Sequence, residues 1–221
     1  MFAPDVVEPV SGTYYLLVGT GDREKPLSVF DTAAGISNYF FLVKDKPGDA
    51  GWLAGESSNC GGDAVICLAS LLEIPSTGNP SDTDLAAKKG WYLPLTSTEQ
   101  VVTSAITVFD TVTFSTHQPA TSDDEDDEDA DICGSNLGET RVYNIAFKNA
   151  APGGGNTNRS EEVSGGGLPP SPVAGMVTLD NGQTLPFVIG ASPDSPLEGK
   201  LPTSTSISSA PKGRVYWYIE Q

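Results

Sequence analysis

The chain has 221 residues and a formal net charge of −17, with 12 Lys and Arg against 29 Asp and Glu. A surface this acidic repels phosphates, and the densest basic patch is only the pair Lys88 and Lys89, which argues against a nucleic acid partner. The 24 Gly, 17 Pro and 38% hydrophobic residues are typical of a folded protein built from short segments and turns. We therefore predict a mostly β protein with a substantial core.

The first strand signals are "TYYLLVGTG" (13–21) and "NYFFLVKDK" (38–46), two runs of aromatic and β-branched residues that end in Gly or charged residues. Both are predicted to be core strands. The segment between them is polar and contains Pro26, so it is predicted to be a loop.

The turn "GTGDRE" follows the first of these strands and has the look of a phosphate-binding loop. It lacks the third Gly of a dinucleotide fingerprint and the Gly-Lys-Ser/Thr of a P-loop. We therefore expect a structural turn whose charged side chains, Asp22, Arg23 and Glu24, form ion pairs or hydrogen bonds.

Residues 52–80 show little periodicity and are predicted to be an irregular excursion. Cys60 and Cys67 lie seven residues apart in "NCGGDAVIC", where a local disulfide is geometrically feasible. Cys133 has no obvious mate. A structural zinc site is not expected, because the chain has one histidine, His117, and no Cys-x-x-Cys pair.

A short helix is predicted in "SDTDLAAKKG", followed by a strand that begins at Trp91. Ser81 can cap this helix, with Asp84 at the capping-box position. We expect Lys88 and Lys89 to lie near its negative end and Gly90 to stop it.

Later strand signals comprise two hairpins and two single strands. The first hairpin is 101–117 around Phe109 and Asp110, and the second is 174–190 around an Asp-Asn-Gly turn. The single strands are 141–147 and the closing "GRVYWYIEQ".

The predicted fold is all-β throughout residues 1–221, a length that suits one large domain or two small ones. Two designs fit: a partial β-propeller of about two to three blades, each an antiparallel meander with long loops, and a β-sandwich. A short sequence similarity between "RVYNIAF" and "RVYWYIE" favours the propeller, whose blades are structural repeats. Flexible insertions are predicted at about 118–132 and 151–172, the latter rich in Gly and Pro.

The acidic run in "TSDDEDDEDADIC" holds eight acids in the nine positions from 123 to 131. Carboxylates are calcium ligands, and the weak metal candidates are Asp123, Asp124, Asp126, Asp127 and Asp129. No register of an EF-hand-like loop places both the turn Gly and the final Glu correctly. Repulsion between the acids predicts an extended, solvated insertion, with loose calcium binding left open.

No catalytic constellation is visible in the sequence. His117 lies at the polar end of a predicted hairpin with no motif around it, so we expect a surface histidine and no enzyme. The first nine residues have neither a basic region nor an apolar stretch, so a secretory signal would belong to a longer precursor. No run of 18 apolar residues occurs, and no membrane span is predicted.

Several segments together resemble the C-terminal β-propeller of the PilY/PilC family of type IV pilus biogenesis proteins and tip adhesins. They occur in family order over nearly the whole chain: "LLVGTGDREKPL", "NYFFLVKDKP", "KKGWYLPLTSTEQVVTSAITVFDTVTFST", "CGSNLGETRVYNIAF", "GLPPSPVAGMVTLDNGQTLPFVIGASPDSPLEG" and "RVYWYIEQ".

The resemblance implies a modified propeller in an exported, pilus-associated protein that supports pilus assembly and surface attachment. It implies minor pilins or other pilus subunits, host or surface ligands, and the remaining blades of a longer chain as partners. The family's calcium loop lies upstream of the matched region, so calcium is expected only in the full-length protein and no cofactor in this segment. The expected location is the cell surface, the pilus, or the periplasm and outer membrane.

Two other functions stay open at this point. One is a quinone-cofactor propeller enzyme, which needs calcium-binding carboxylates and a stacking tryptophan; the tryptophans Trp52, Trp91 and Trp217 lie in segments that predict packing. The other is a generic β-domain that recognises carbohydrate or protein.

Overall fold

The computed structural model describes residues 2–30, 35–120, 137–194 and 198–200, and these residues fold mostly as β-strands. The strands are β1 Asp5–Val10, β2 Thr13–Gly19, β3 Tyr39–Asp45, β4 Leu72–Glu73, β5 Gly90–Pro94, β6 Gln100–Val101, β7 Ile106–Val108, β8 Thr111–Gln118, β9 Glu139–Ala146, β10 Ser160–Glu162, β11 Val173–Thr178, β12 Thr184–Ile189 and β13 Gly199–Lys200. The α-helix α1 spans Asp82–Ala87. The all-β prediction is confirmed.

The first sheet has the strand order β1-β2-β3-β5-β4, antiparallel except for the short parallel pair of β4 with β5. Its two central strands carry apolar residues on both faces, because side chains alternate along a strand and almost every position here is apolar. One face, the inner face, is buried, and it includes Leu17, Phe40, Leu42 and Trp91.

The middle sheet has the order β10-β9-β8-β6, with β7 paired to β8 beside β6. The predicted hairpin is confirmed at β7 and β8, where Phe109 takes a left-handed φ of 54° in the turn. Residues 101–105 do not continue that hairpin strand. Gln100 and Val101 form the separate strand β6, which pairs further along the same edge of β8.

The third sheet has the order β11-β12-β13. The predicted hairpin over 174–190 is confirmed, with six residue pairs from Val173–Ile189 to Thr178–Thr184. Its turn contains Gly182 at a φ of 81°, a left-handed conformation that favours glycine.

Helix α1 begins as predicted, since the Ser81 hydroxyl accepts the Asp84 backbone N–H at 3.1 Å. Its end differs from the prediction. The ammonium that meets the last carbonyls belongs to Lys44, whose Nζ donates to Leu85 O at 2.6 Å. Gly90 does not stop the helix but begins β5, where a Cβ would collide with the backbone carbonyl of β3 at Leu42.

The three sheets pack in chain order, with the middle sheet between the other two. The Phe40 ring of the first sheet stacks on Phe114 of the middle sheet with centroids 3.8 Å apart, and Phe114 stacks on Tyr143 at 4.8 Å. On the other side, Asn144 of β9 donates to Ala191 O, just after β12, at 3.1 Å. This arrangement fits both a partial propeller and a sandwich.

Four strands were not predicted. β1 lies at the edge of the first sheet, and β10 lies within the Gly- and Pro-rich connection. β4 lies in the segment predicted to be irregular, and β13 pairs with the end of β12. The predicted closing strand 213–221, Trp217, Cys133 and the core of the acidic insertion fall outside the described residues. No helix in the described part of the chain has the length and apolar character needed to cross a membrane.

Candidate functional site

The weak metal candidates between Asp123 and Asp129 lie outside the described residues, so the expectation of a solvated insertion without a specific metal site stays a prediction. Within the described ranges, no three His, Cys, Asp or Glu side chains come together as metal ligands.

The predicted disulfide between Cys60 and Cys67 is confirmed, with Cα atoms 5.8 Å apart. The Ser70 hydroxyl lies 3.2 Å from the Cys60 sulfur and accepts the Cys67 backbone N–H at 3.2 Å. A hydrogen bond from Ser70 lowers the pKa of the buried Glu56 carboxyl despite burial, and Asn59 and Lys89 lower it further. A structural disulfide of this kind is typical of oxidising compartments.

The "GTGDRE" turn is a structural turn, as predicted. The Asp22 backbone N–H donates to the Gln100 side-chain carbonyl at 2.8 Å, and the Gln100 amide donates back to Lys25 O at 3.3 Å. Asp22 and Lys25 also form an ion pair at 3.7 Å. A Cβ on Gly21 would collide with the backbone carbonyl of Val101, so the close approach of loop to strand requires glycine.

Arg23 connects this turn to two distant segments. Its Nη1 donates to Val102 O and to Pro169 O, both at 2.7 Å. Both acceptors are backbone carbonyls, one after β6 and the other in the connection before β11. Arg23 thus fixes the positions of three loops that belong to three different sheets.

His117 is buried, and the prediction of a surface histidine is wrong. Its Nε2 lies 2.8 Å from Leu137 O, and its Nδ1 has no hydrogen-bond partner in the part of the chain that the structure describes. The side chain lies on the face of β8 that is turned away from the first sheet, next to Thr140 of β9. His117 precedes the acidic insertion in the sequence and residue 137 follows it, so this contact links the two sides of the insertion.

The most unusual polar group of the molecule is Glu99, which sequence reasoning missed. Its carboxylate is 1% exposed and lies between the first and middle sheets. Oε1 accepts the hydroxyls of Thr116 at 2.6 Å and Tyr143 at 3.0 Å. Oε2 accepts the Thr96 hydroxyl at 2.6 Å and the Thr96 backbone N–H at 3.0 Å.

Arg141 provides the opposite charge, with Nη1 3.7 Å from Glu99 Oε2, and it also contacts Glu139. Burial alone lowers the pKa of Arg141, but the carboxylates of Glu99 and Glu139 raise it overall. Burial, and then Glu99, raise the pKa of the Tyr143 phenol well above its ordinary value. With donors on both oxygens and a cation nearby, the carboxylate is satisfied by the protein itself, which is the pattern of a structural group.

The two described tryptophans do not offer an open ring for a stacked cofactor. Trp91 is fully buried, and its indole N–H donates to Phe147 O at 3.0 Å. The Trp52 ring is covered by the ammonium groups of Lys89 at 3.8 Å and Lys46 at 4.5 Å. Both rings serve in packing, as the sequence indicated.

A polar cleft of about 390 Å³ lies between the loops 76–79 and 157–159. Arg159 is one of the residues that line the cleft, and its described hydrogen bonds go to backbone carbonyls: Nε to Ala150 O at 2.7 Å, Nη1 to Pro75 O at 2.7 Å and Nη2 to Gly78 O at 2.6 Å. The guanidinium nitrogens thus already donate hydrogen bonds within the protein, and the other polar side chains that line the cleft are neutral hydroxyl and amide groups.

Comparison with known proteins gives a distant structural likeness. No family model matches the chain, and no curated protein matches it. Among solved structures, the crystal structure of the Pseudomonas aeruginosa PilY1 C-terminal domain is similar over 84% of this chain, with 13% sequence identity and a TM-score of 0.46. The similar region spans 42% of that domain, and the relationship is a distant structural one.

Proposed function

We propose that the chain is a non-catalytic structural and adhesive module of a type IV pilus-associated protein, located at the cell surface, where it supports pilus assembly and attachment. The proposal rests on the ordered segments that resemble the PilY/PilC family. One structural observation supports it most: the residues that carry the resemblance are those that join the sheets.

Arg23 is the clearest case. It belongs to the "GTGDREKPL" segment, and its two acceptors, Val102 and Pro169, lie in two other resembling segments. Asn38, at the start of "NYFFLVKDKP", likewise donates to Glu99 O at 3.1 Å. These contacts link four of the resembling segments to one another, which supports the interpretation that the segments are parts of one fold.

The outer faces of the first and third sheets support the proposed partners, namely further blades or pilus subunits. The outer face of the first sheet is apolar and half-buried, with an aromatic group of Tyr39, Phe41 and Tyr92 whose ring centroids lie 5.6–6.3 Å apart. The outer face of the third sheet exposes Val173 and Val177. Apolar faces of this kind favour burial against another layer.

The test is a clean deletion of the gene, followed by complementation. We expect fewer surface pili and reduced twitching motility in the deletion, restored by the wild-type gene. The Arg23→Ala gene should restore piliation and motility poorly, because the substitution removes the hydrogen bonds that hold three loops together. Lys148→Ala, which removes an exposed ion pair with Asp110 and a cation–π contact with Phe147, is the matched control and should restore piliation and motility fully. Normal piliation and motility in the deletion strain would refute the proposal.

The absence of catalysis is part of the proposal and has its own test. Incubation of the purified chain with pyrroloquinoline quinone and calcium should give no dye-linked dehydrogenase activity. Activity above that of the free cofactor would favour the propeller-enzyme alternative instead.

A further inference from the structure

The third sheet has one long strand edge that no other described strand covers. Its first strand, β11, pairs with β12 along one side, and no strand of the described ranges pairs with its other side. β7 of the middle sheet comes near β11 but pairs only with β8. The Met176 side chain of β11 is 65% exposed, so this side of the sheet is open to solvent.

The direction of the backbone groups along β11 follows from the hairpin turn. The Leu179 N–H donates to Gln183 O at 2.8 Å, and hydrogen-bonded pairs recur at every second residue from there along an antiparallel hairpin. The odd-numbered residues of β11 therefore bond to β12, and the N–H and C=O groups of the even-numbered residues point outward. We call these the free-edge residues: Ala174, Met176 and Thr178.

β11 lacks the features by which edge strands usually avoid pairing. Its sequence, VAGMVT, contains no charged residue and no proline. The edge strand β1 of the first sheet, by contrast, contains Asp5, Glu8 and Pro9 and a register shift. At the opposite edge of the third sheet, β13 is two residues long, and its Lys200 ammonium contacts the Asn156 side chain at 3.2 Å. An open, uncharged edge such as that of β11 favours the addition of another strand.

The segment 214–220, with the sequence RVYWYIE, suits this edge in composition, length and reach. Between its Arg and Glu it consists of β-branched and aromatic residues, and it is long enough to match the six residues of β11. β13 ends at Lys200 in the same sheet, and two strand spacings, about 10 Å, separate β13 from β11. The connection 201–213 can span about 40 Å when extended, which is enough to bring the segment to the free edge.

We propose that residues 214–220 of this chain pair with the free-edge residues and add a fourth strand to the third sheet. The connection favours this occupant over a second copy of the chain, because it holds the segment at an effective concentration on the order of millimolar. The pairing satisfies the outward N–H and C=O groups of β11. It leaves the outer face of the sheet, with Val173 and Val177, as the surface that a partner can cover.

The test is amide hydrogen exchange of the full-length chain, followed residue by residue by NMR. The amides of the free-edge residues should be protected in the wild type, and nuclear Overhauser effects should join β11 to residues 214–220. In Trp217→Pro/Tyr218→Pro these amides should exchange at least about tenfold faster. Two adjacent prolines are needed because neighbouring N–H groups of a strand point to opposite sides, so that one of the two must face β11.

The matched control is Ser208→Pro/Ser209→Pro, which places the same two prolines in the connection and should leave protection unchanged. The amides of Gly175 and Val177, which bond to β12, report whether the third sheet is folded in each variant. The proposal is overturned if the free-edge amides are unprotected in the wild type, or if they stay protected in Trp217→Pro/Tyr218→Pro. Overhauser effects from β11 to a different segment, or protection that falls on dilution as in pairing with a second copy, also overturn it.

Discussion

The two interfaces of the middle sheet are built in different ways. Towards the first sheet, β8 and β9 present stacked rings, with Phe114 between Phe40 and Tyr143. Towards the third sheet, the same strands present hydroxyls and amides, where Thr113 donates to Asn144 Oδ1 at 2.8 Å and Asn144 donates to Ala191 O at 3.1 Å.

We therefore expect the two interfaces to have different roles, one in the stability of the fold and the other in the orientation of the third sheet. Apolar burial scales with area and has little directional preference, so the aromatic interface is expected to hold most of the folding free energy. Hydrogen bonds contribute little net free energy but cost much when broken, so the polar interface is expected to fix how the third sheet sits. Glu99 is the exception, a polar network at the end of the apolar interface.

The largest expected effect is that of Phe114→Ala. It removes a fully buried ring that contacts both sheets and leaves a cavity, with an expected loss of about 3–5 kcal/mol in the free energy of unfolding. Urea denaturation followed by tryptophan fluorescence measures it. A loss under 1 kcal/mol would mean that the two sheets do not share one core.

The second effect is that of Glu99→Gln, which keeps the shape of the side chain and removes its charge. We expect a loss of about 2–3 kcal/mol, because Arg141 loses its buried partner while the hydroxyls of Thr116 and Tyr143 lose an ionised acceptor. Denaturation at constant pH gives the value. Lys148→Gln, an exposed ion-pair change, is the control and should cost almost nothing.

The third effect, at the polar interface, is smaller. Asn144→Ala leaves the Thr113 hydroxyl and Ala191 carbonyl without their partner, with an expected loss of about 1–2 kcal/mol. The paired change Thr113→Val/Asn144→Leu should recover part of this loss, since an apolar pair has fewer polar groups to satisfy. Equal losses in both variants would show that packing volume, not hydrogen bonding, sets the cost.

The smallest effect is that of Tyr143→Phe, about 1 kcal/mol at neutral pH, and it has a pH signature. The folded pKa of Tyr143 is raised above the ordinary tyrosine value of about 10. A group of this kind contributes fully below pH 10 and loses its contribution as the pH rises above it, because only the unfolded chain ionises readily. Stability measured from pH 9 to 11 should therefore fall less steeply in Tyr143→Phe than in the wild type.

The strands with strong local patterns were predictable from sequence, and those defined by distant partners were not. β2, β3 and the β11–β12 hairpin have continuous apolar runs or a turn signal, and each was found. β6 and β10 are two and three residues long and exist only because a neighbouring strand pairs with them. No local period can reveal such elements.

The polar centre of the molecule was unpredictable for a similar reason. Glu99 lies in "TSTEQ", which has the composition of a surface turn, and its partners Thr116, Arg141 and Tyr143 come from strands 17 to 44 residues further along the chain. His117 was read as exposed because it ends a hairpin, and it is buried because the segment around Leu137 returns over it.

The guanidinium of Arg159 has a consequence for the behaviour of the molecule in salt. Its described bonds go to carbonyl oxygens of loops from the first and middle sheets, and none goes to a carboxylate. Mobile ions screen attraction between charges far more than they weaken short bonds to partly buried dipoles. The contacts that Arg159 makes between these loops should therefore persist at high salt, whereas the repulsion between the acidic molecules should weaken as the salt concentration rises.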